Sequence, residues 1–423
     1  MTMSETFLVC TAIGAMFAAT GIVRGREVGP LGPLWFFSGW LASELPLFHI
    51  GWQMLATFWF VANGALAAPE GWLGLLLAVG SWGAFLVMHL RALQAPGVFD
   101  RALADCSDSE FRQALGAARM SVSEGPSLRD LALPFQMSRS GVERIRNLSY
   151  GDAGKRNLLD VWRPTKRDGL CPTLLQVHGG GWCIGNKDQQ ALPLLNLMPQ
   201  LGWACVAINY RLSPKDAFPA HIIDVKKAIA WIREHGPEYG CDPDIIVVTG
   251  GSAGGHLSAL TGLTANYAPF QPGFEEVDTS VAGCAPYYGI YDFLDREGFR
   301  GSASMEGFLS EYVMQGPASD ESRWKEASPL DHIGPDAPPF LLIHGTDDSL
   351  AFVEDGRALA EQLRAVSQAP VLWAELPGTQ HAFDNFRSIR AEAAIRAVAR
   401  FAEAVRATHR RKTLSETDEA ARA

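Results

Sequence analysis

Apolar and polar positions divide this chain into two materials. Residues 6–23, 45–69 and 71–90 contain no Asp, Glu, Lys or Arg, and between Val28 and Pro69 the only charged residue is Glu44. The first lysine is Lys155. Each of the three runs is about long enough to cross the ~30 Å hydrocarbon core of a bilayer as a helix. They predict an all-helical membrane domain over residues 1–95. Beyond residue 142 the pattern changes. Short strand-like apolar runs at 142–150, 158–163, 173–178, 203–210, 244–249, 281–287, 340–344 and 371–376 alternate with helix-like stretches at 216–235, 256–264, 351–366 and 387–407. Such alternation predicts an α/β domain over 142–410, a mostly parallel sheet with helices on both faces. The first two strands read as a hairpin pair. Residues 96–141 read as helical, either a linker of packed helices or a cap over the site. Within them Ser107 and Glu110 resemble a capping box opening a helix over 110–120, which Ser123-Glu124-Gly125-Pro126 ends. Residues 411–423 are polar and read as a disordered tail.

The N-terminal domain carries Trp35, Trp40, Trp52, Trp59, Trp72 and Trp82, a frequency typical of membrane interfaces. The first run lacks a basic flank before it and further apolar runs follow it, which argues against a cleaved leader. Residues 31–50 decide the span count, since Pro33, Glu44, Pro46 and His49 interrupt them. An interfacial or re-entrant path there gives three spans; a crossing gives four. With three, Arg24, Arg26, Arg91 and Arg101 share one side, and the positive-inside rule puts the α/β domain at the cytoplasmic face of a multi-pass membrane protein. Glu44, with no evident partner, reads as a residue snorkelling at the interface.

Four motifs sit at strand ends of the α/β domain. Gly250-Gly251-Ser252-Ala253-Gly254 joins a strand to a helix. A serine on that tight turn presents its hydroxyl above the sheet at a helix N-terminus, and the glycines keep neighbouring side chains out of the way. His178-Gly179-Gly180-Gly181-Trp182 ends an earlier strand and is the sharper signal, because glycines let backbone amides approach a developing oxyanion. Those of Gly180, Gly181 and Ala253 are the expected donors, and His178 is expected to brace the loop. His344-Gly345-Thr346-Asp347-Asp348 follows a third strand and Gly378-Thr379-Gln380-His381 the last. A serine hydroxyl needs a base, and the base needs a carboxylate to orient it. The chain order Ser252, Asp348, His381 supplies these. Asp347 is left to cap the turn or solvate the loop edge. Trp182, Phe218 and Tyr288 are expected to be acyl-pocket or core residues, and Arg211 and Asp224 to brace the site. Residues 293–326 are a second cap element or a surface insertion.

Taken with Asn209-Tyr210-Arg211-Leu212-Ser213-Pro214 and Phe218-Pro219-Ala220, these motifs make residues 146–407 resemble the α/β-hydrolase fold. More closely they resemble the hormone-sensitive-lipase-like and feruloyl-esterase-like esterases. The apolar N-terminus joined to such a domain is similar to the mycobacterial Lip-type carboxylesterases. The resemblance implies a Ser252–His381–Asp348 triad, an oxyanion hole of the glycine loop and Ala253, and no cofactor. Asn209 and Gly251 stand where many lipase-like members have Asp. That shifts the resemblance toward the feruloyl-esterase-like and kynurenine-formamidase-like branches.

A formal charge of −10 disfavours a nucleic-acid partner. Seven cysteines without CxxC spacing suggest neither a zinc site nor a disulfide framework. No phosphate-binding loop, dinucleotide fingerprint or metal-ligand spacing is present. The expected function is a membrane-anchored serine carboxylesterase or lipase acting on small-molecule or lipid esters. Arylformamidase-like amide hydrolysis or acyl transfer by the same triad, and a non-catalytic binding module, are the alternatives.

Overall fold

The computed structural model describes residues 1–23, 32–122, 125–300 and 303–422. Arg24 and Arg26, part of the expected positive flank, and the helix break at Ser123-Glu124 lie outside them. The N-terminal region holds α1 (Met3–Ile22), α2 (Gly32–Glu44), α3 (Pro46–Ala62) and α4 (Pro69–Ala92). A capping box between Thr2 and Glu5 opens α1. Two stretches, Met3–Ile22 and Pro69–Ala104, are long and apolar enough to cross a bilayer. The helices α2 and α3 meet at a 93° bend. Its cause is Pro46, which lacks an amide proton and restricts Leu45 before it. Leu55 and Phe58 on α3 and Leu76 on α4 point outward, 74%, 74% and 68% exposed. These outward side chains make the exposed faces of α3 and α4 apolar.

Three helices follow: α5 (Ala95–Ala104), α6 (Ser109–Ser121) and α7 (Leu128–Ala132). The cap of α6 is Asp108, whose carboxylate accepts from the Phe111 amide at 2.8 Å, one residue beyond the Ser107 expected from the capping-box pattern. An aspartate beside the helix start is as good an acceptor as the serine, and local spacing does not separate them.

The α/β domain contains eight strands. They are β1 (Val142–Ser149), β2 (Leu158–Pro164), β3 (Cys171–Val177), β4 (Ala204–Ile208), β5 (Cys241–Gly251), β6 (Gly283–Tyr287), β7 (Phe340–Gly345) and β8 (Val371–Leu376). Their order in the sheet is β1-β2-β4-β3-β5-β6-β7-β8. β1 and β2 pair antiparallel, as the hairpin reading expects; β2 also runs antiparallel to β4, and the remaining pairs are parallel. Between and after them lie α8 (Leu192–Leu197), α9 (Ala220–His235), α10 (Ala253–Leu263), α11 (Ala303–Phe308), α12 (Glu321–Ala327), α13 (Val353–Val366) and α14 (Ile389–Arg422). This is the α/β-hydrolase arrangement. The order reverses beside β3, with β4 on one side and β5 on the other, and in open α/β sheets the crevice outside the strand ends at such a point is where ligands bind.

Both sheet faces are buried. One packs on Val225 and Ile229 of α9, Leu257 of α10 and Leu359 of α13. The other packs on Val398 and Phe401 of α14, together with Phe99 of α5 and Phe111 of α6. Of the two readings of 96–141, α5 and α6 follow the packed linker: Phe111 meets Phe401 and Asp100 pairs with Arg400 at 2.7 Å. The expected disordered tail is instead helical, since α14 runs on to Arg422. Its Lys, Leu, Glu, Ala and Arg residues are good helix formers, and Arg411 pairs with Glu110 of α6 at 3.2 Å.

Glu44 is not a snorkelling interface residue. Its buried carboxylate accepts from Arg390 Nη1 at 3.1 Å and from Ser388 Oγ at 2.7 Å. Both partners belong to the far end of the chain, so no sequence window holds the pair. Arg390 also donates to the carbonyls of Ser43 and Gly378 and so ties the N-terminal helices to the α/β domain. Removing one partner of a buried pair leaves the other charge uncompensated. Arg390→Ala is therefore expected to cost about 3–5 kcal/mol, seen as a lowered thermal midpoint in detergent. A Glu44→Gln/Arg390→Met double variant should recover part of it. A midpoint unchanged in the single variant would remove this pair as the anchor.

Candidate active site

β5 ends at Gly251 and α10 begins at Ala253, leaving Ser252 as the turn with φ 59° and ψ −123°. Positive φ in a non-glycine residue costs about 1–3 kcal/mol and persists only where the surroundings enforce it. Here the Ser252 amide donates to the Tyr287 carbonyl at 3.1 Å, and its carbonyl accepts from the His256 amide at 2.9 Å. The β3 backbone runs close beneath: a Cβ on Gly254 would stand 2.1 Å from the Val177 carbonyl oxygen. Val177 pairs in register with Gly250, so the loop leaving β3 emerges beside Ser252.

That loop is the His178–Trp182 segment. Gly180 has φ 120°, and a Cβ there would meet the Ile184 carbonyl oxygen at 2.2 Å. Among the described residues none accepts a hydrogen bond from the Gly180 or Gly181 amide. The Ala253 amide opens α10, where a helix leaves its first donors without internal partners. His178 braces the loop as expected: its Nδ1 donates to the Gly179 carbonyl at 2.7 Å and its ring stacks on Tyr210 at 4.3 Å. Gln190, which no sequence motif flagged, holds the Gly179 amide at 2.6 Å.

From β7 and β8 come the other two motifs. His381 Nδ1 lies 2.7 Å from Asp348 Oδ2, with both side chains buried. The other Asp348 oxygen accepts from the amides of Leu350 and Ala351 at 2.9 and 2.8 Å. Burial alone would raise this carboxyl. The neighbouring His381 and hydrogen bonds from His344 and His381 outweigh it and hold the group well below the usual carboxylate range. Asp347 turns elsewhere, accepting from Thr346 Oγ1 and lying 4.0 Å from Arg91. Gln380 clips the two loops together: its Oε1 accepts from the amides of His381 and Ser349 at 2.9 and 2.8 Å.

The three aromatic candidates separate. Trp182 and Phe218 have the surroundings of core residues. Trp182 donates to His256 Nδ1 at 3.2 Å and packs on Phe293, while Phe218 packs on Phe270. Tyr288 lies against the His381 ring at 4.6 Å. Its hydroxyl donates to Asp384, a carboxyl that burial pushes above its usual range. A Cβ on Gly251 would stand 2.6 Å from that hydroxyl, so a glycine here makes room for Tyr288. Arg211 and Asp224 form the expected brace, with contacts of 2.7–3.0 Å. Within the 293–326 segment, Phe308 of α11 would lie 3.4 Å from a Cβ on Gly181 and so borders the glycine loop. Two contacts had no sequence signal. Phe36 of α2 meets the His381 ring edge-on at 6.0 Å, and Trp40 Nε1 donates to the Ala382 carbonyl at 2.9 Å. A cleft of about 650 Å³, lined by Lys166, Arg167 and Arg410, opens at the other end of β3. Among the described residues no three His, Cys, Asp or Glu side chains are grouped to hold a metal ion.

Three buried histidines near the site set an acid limit. Burial lowers His178 and His256 to about 4 and His221 to about 3. In His256, Nδ1 accepts from Trp182 and Nε2 donates to Ala327, so protonation at Nδ1 would expel the Trp182 bond. These bases bind fewer protons folded than unfolded. Their contribution is present above the ordinary value near 6.5 and is lost as pH falls toward 4. Asp355, pushed up to about 7 by burial, has the opposite sign and offsets part of this. The thermal midpoint is expected to fall between pH 6.5 and 4, and less in a His256→Gln variant. A wild-type midpoint flat across that window contradicts the assignment.

Similarity to known proteins bears on the fold and the class of reaction. Residues 159–363 match the family model described as BD-FAE. The probable carboxylic ester hydrolase LipM of Mycobacterium tuberculosis is 49% identical over 403 residues, 94% of this chain and 93% of that protein. Esterase LipQ of the same organism is 41% identical, covering 86% of this chain and 83% of its own. Among solved structures, esterase B from Lactobacillus rhamnosis superposes with a TM-score of 0.55 at 20% identity, over 77% of this chain and 99% of that one, a likeness of fold. At such identity and coverage, this chain belongs to the Lip-type carboxylic ester hydrolases.

Proposed function

We propose that Ser252 is the nucleophile, His381 the general base, Asp348 the group that orients it, and the Gly180, Gly181 and Ala253 amides the oxyanion donors. The observation that carries this reading is the buried 2.7 Å contact between His381 Nδ1 and Asp348 Oδ2 at the strand ends that also present Ser252. An ionised carboxylate only accepts, so Nδ1 donates and Nε2 is left to take the Ser252 proton. Ser252 Oγ attacks the ester carbonyl, and the charge that develops on its oxygen is met by the three amides. Collapse breaks the ester C–O bond; His381 returns the proton to the departing alcohol and an acyl-enzyme remains. Water, deprotonated by His381, then releases the acid and restores Ser252. A fluorophosphonate should form one adduct, located at Ser252 by mass spectrometry of the detergent-solubilised full chain. An adduct elsewhere, or none on folded protein, contradicts the reading.

The N-terminal helices embed the enzyme in a bilayer in this proposal, supported by the apolar lengths of α1 and α4 and the outward Leu55, Phe58 and Leu76. Arg91, at the end of α4, lies 4.0 Å from Asp347 of the α/β domain, so the basic helix end and the catalytic domain share a side. The positive-inside rule makes that side the cytoplasmic one. Esters with apolar chains are the expected substrates.

A further inference from the structure

The N-terminal helices do more than sit beside the α/β domain. Phe36 of α2 is itself buried, 8% exposed, and its ring edge closes on the ring of His381. It stacks on Trp40 at 6.0 Å and 10°. Trp40 in turn packs on Phe386 at 5.1 Å and holds the carbonyl of Ala382, a residue at φ 58° directly after His381. An aromatic row therefore leads away from the candidate base along α2. Its neighbour Phe37 is 57% exposed, on the same domain as the outward apolar faces of α3 and α4. On the oxyanion side the border is Phe308, stacked on the half-exposed Tyr312 at 5.5 Å. Ile184, whose carbonyl lies against Gly180, is 70% exposed. Both sides of Ser252 are thus edged by apolar groups, and one side belongs to the domain with the bilayer-facing surface.

We propose that α2 is a wall of the substrate site, along which the apolar chain of a bilayer-resident carboxylic ester lies against Phe36 with its carbonyl at Ser252. This rests on the serine hydrolase reading above and adds the part of the chain that selects the substrate. The site is then composite, with nucleophile and base from the α/β domain and the chain-binding wall from the N-terminal helices. A long ester would pass from bilayer to wall without crossing water, whereas a short soluble ester gains nothing from it.

The test is a p-nitrophenyl ester series, acetate to palmitate, with the full chain in mixed micelles and rates normalised to the fraction labelled by a fluorophosphonate. Variants are Phe36→Ala, Phe36→Leu and, as a control on the outward face, Leu55→Ala. Removing an aromatic contact with the chain should lower the palmitate-to-acetate ratio of kcat/KM about 10-fold or more in Phe36→Ala. The change should lie mainly in KM, with Phe36→Leu between it and wild type and Leu55→Ala unchanged. A ratio within about twofold of wild type in fully labelled Phe36→Ala overturns the wall. So does an equal loss for acetate and palmitate, which would make Phe36 only a support for His381. A wild type that hydrolyses esters but takes no label at Ser252 overturns the hydrolase reading instead, and this inference with it.

Discussion

Ser252→Ala should lower ester turnover by about 10⁶-fold in kcat, the loss typical when a triad nucleophile is removed. The structure gives a reason to expect so large an effect. The turn holds Ser252 at φ 59°, fixed by hydrogen bonds at both its amide and its carbonyl, so no neighbouring hydroxyl can take its place. The Gly180, Gly181 and Ala253 amides remain in the variant, and a residual rate above the uncatalysed one should persist from them. Measured on p-nitrophenyl butyrate with purified full-length protein, activity within about tenfold of wild type would show that the chemistry lies elsewhere.

Asp348→Asn is expected to reduce kcat about 10⁴-fold, with KM little changed, while Asp347→Asn stays within a few-fold of wild type. The two aspartates are adjacent in sequence, so the contrast is a direct reading of geometry. Asp348 accepts from His381 Nδ1 at 2.7 Å, which in the proposed mechanism fixes the tautomer that leaves Nε2 as the base. An asparagine there can turn its amide toward Nδ1 and favour the opposite tautomer. Asp347 accepts from Thr346 and pairs at long range with a partly exposed Arg91, an arrangement of small energetic weight. If both variants lost activity equally, the loop as a whole would be what matters. If Asp347→Asn alone lost it, the assignment would reverse.

The pentapeptide around Ser252, the His178–Trp182 glycine loop and the loops after β7 and β8 could be read in the sequence because each is a local device. A serine between glycines, at a point where strand spacing gives way to helix spacing, has few structures open to it. Alternating strands and helices prescribe a parallel sheet in the same way, and a parallel sheet puts successive loops on one edge. Two of the three apolar N-terminal runs announced helices of bilayer length by composition alone; the run at 45–69 instead gives the 17-residue α3, bent 93° from α2. Local spacing misled in three places. Asp108 took the cap expected of Ser107, α14 continued through a stretch rich in helix formers, and Glu44 found a partner no window could contain.

What the sequence by itself determined was the fold class, the motif-bearing turns and the presence of an apolar helical domain, since all three follow from residue periodicity and from the conformational limits of single residues. Only the tertiary structure decided what meets what. It set Asp348 and not Asp347 against His381, gave Glu44 its Arg390, and joined the Ser349 and His381 loops through Gln380. It also set Phe36 and Trp40 against the His381 loop. Those contacts join residues up to hundreds of positions apart, and the burial and hydrogen bonding that select them do not exist until the whole chain has packed.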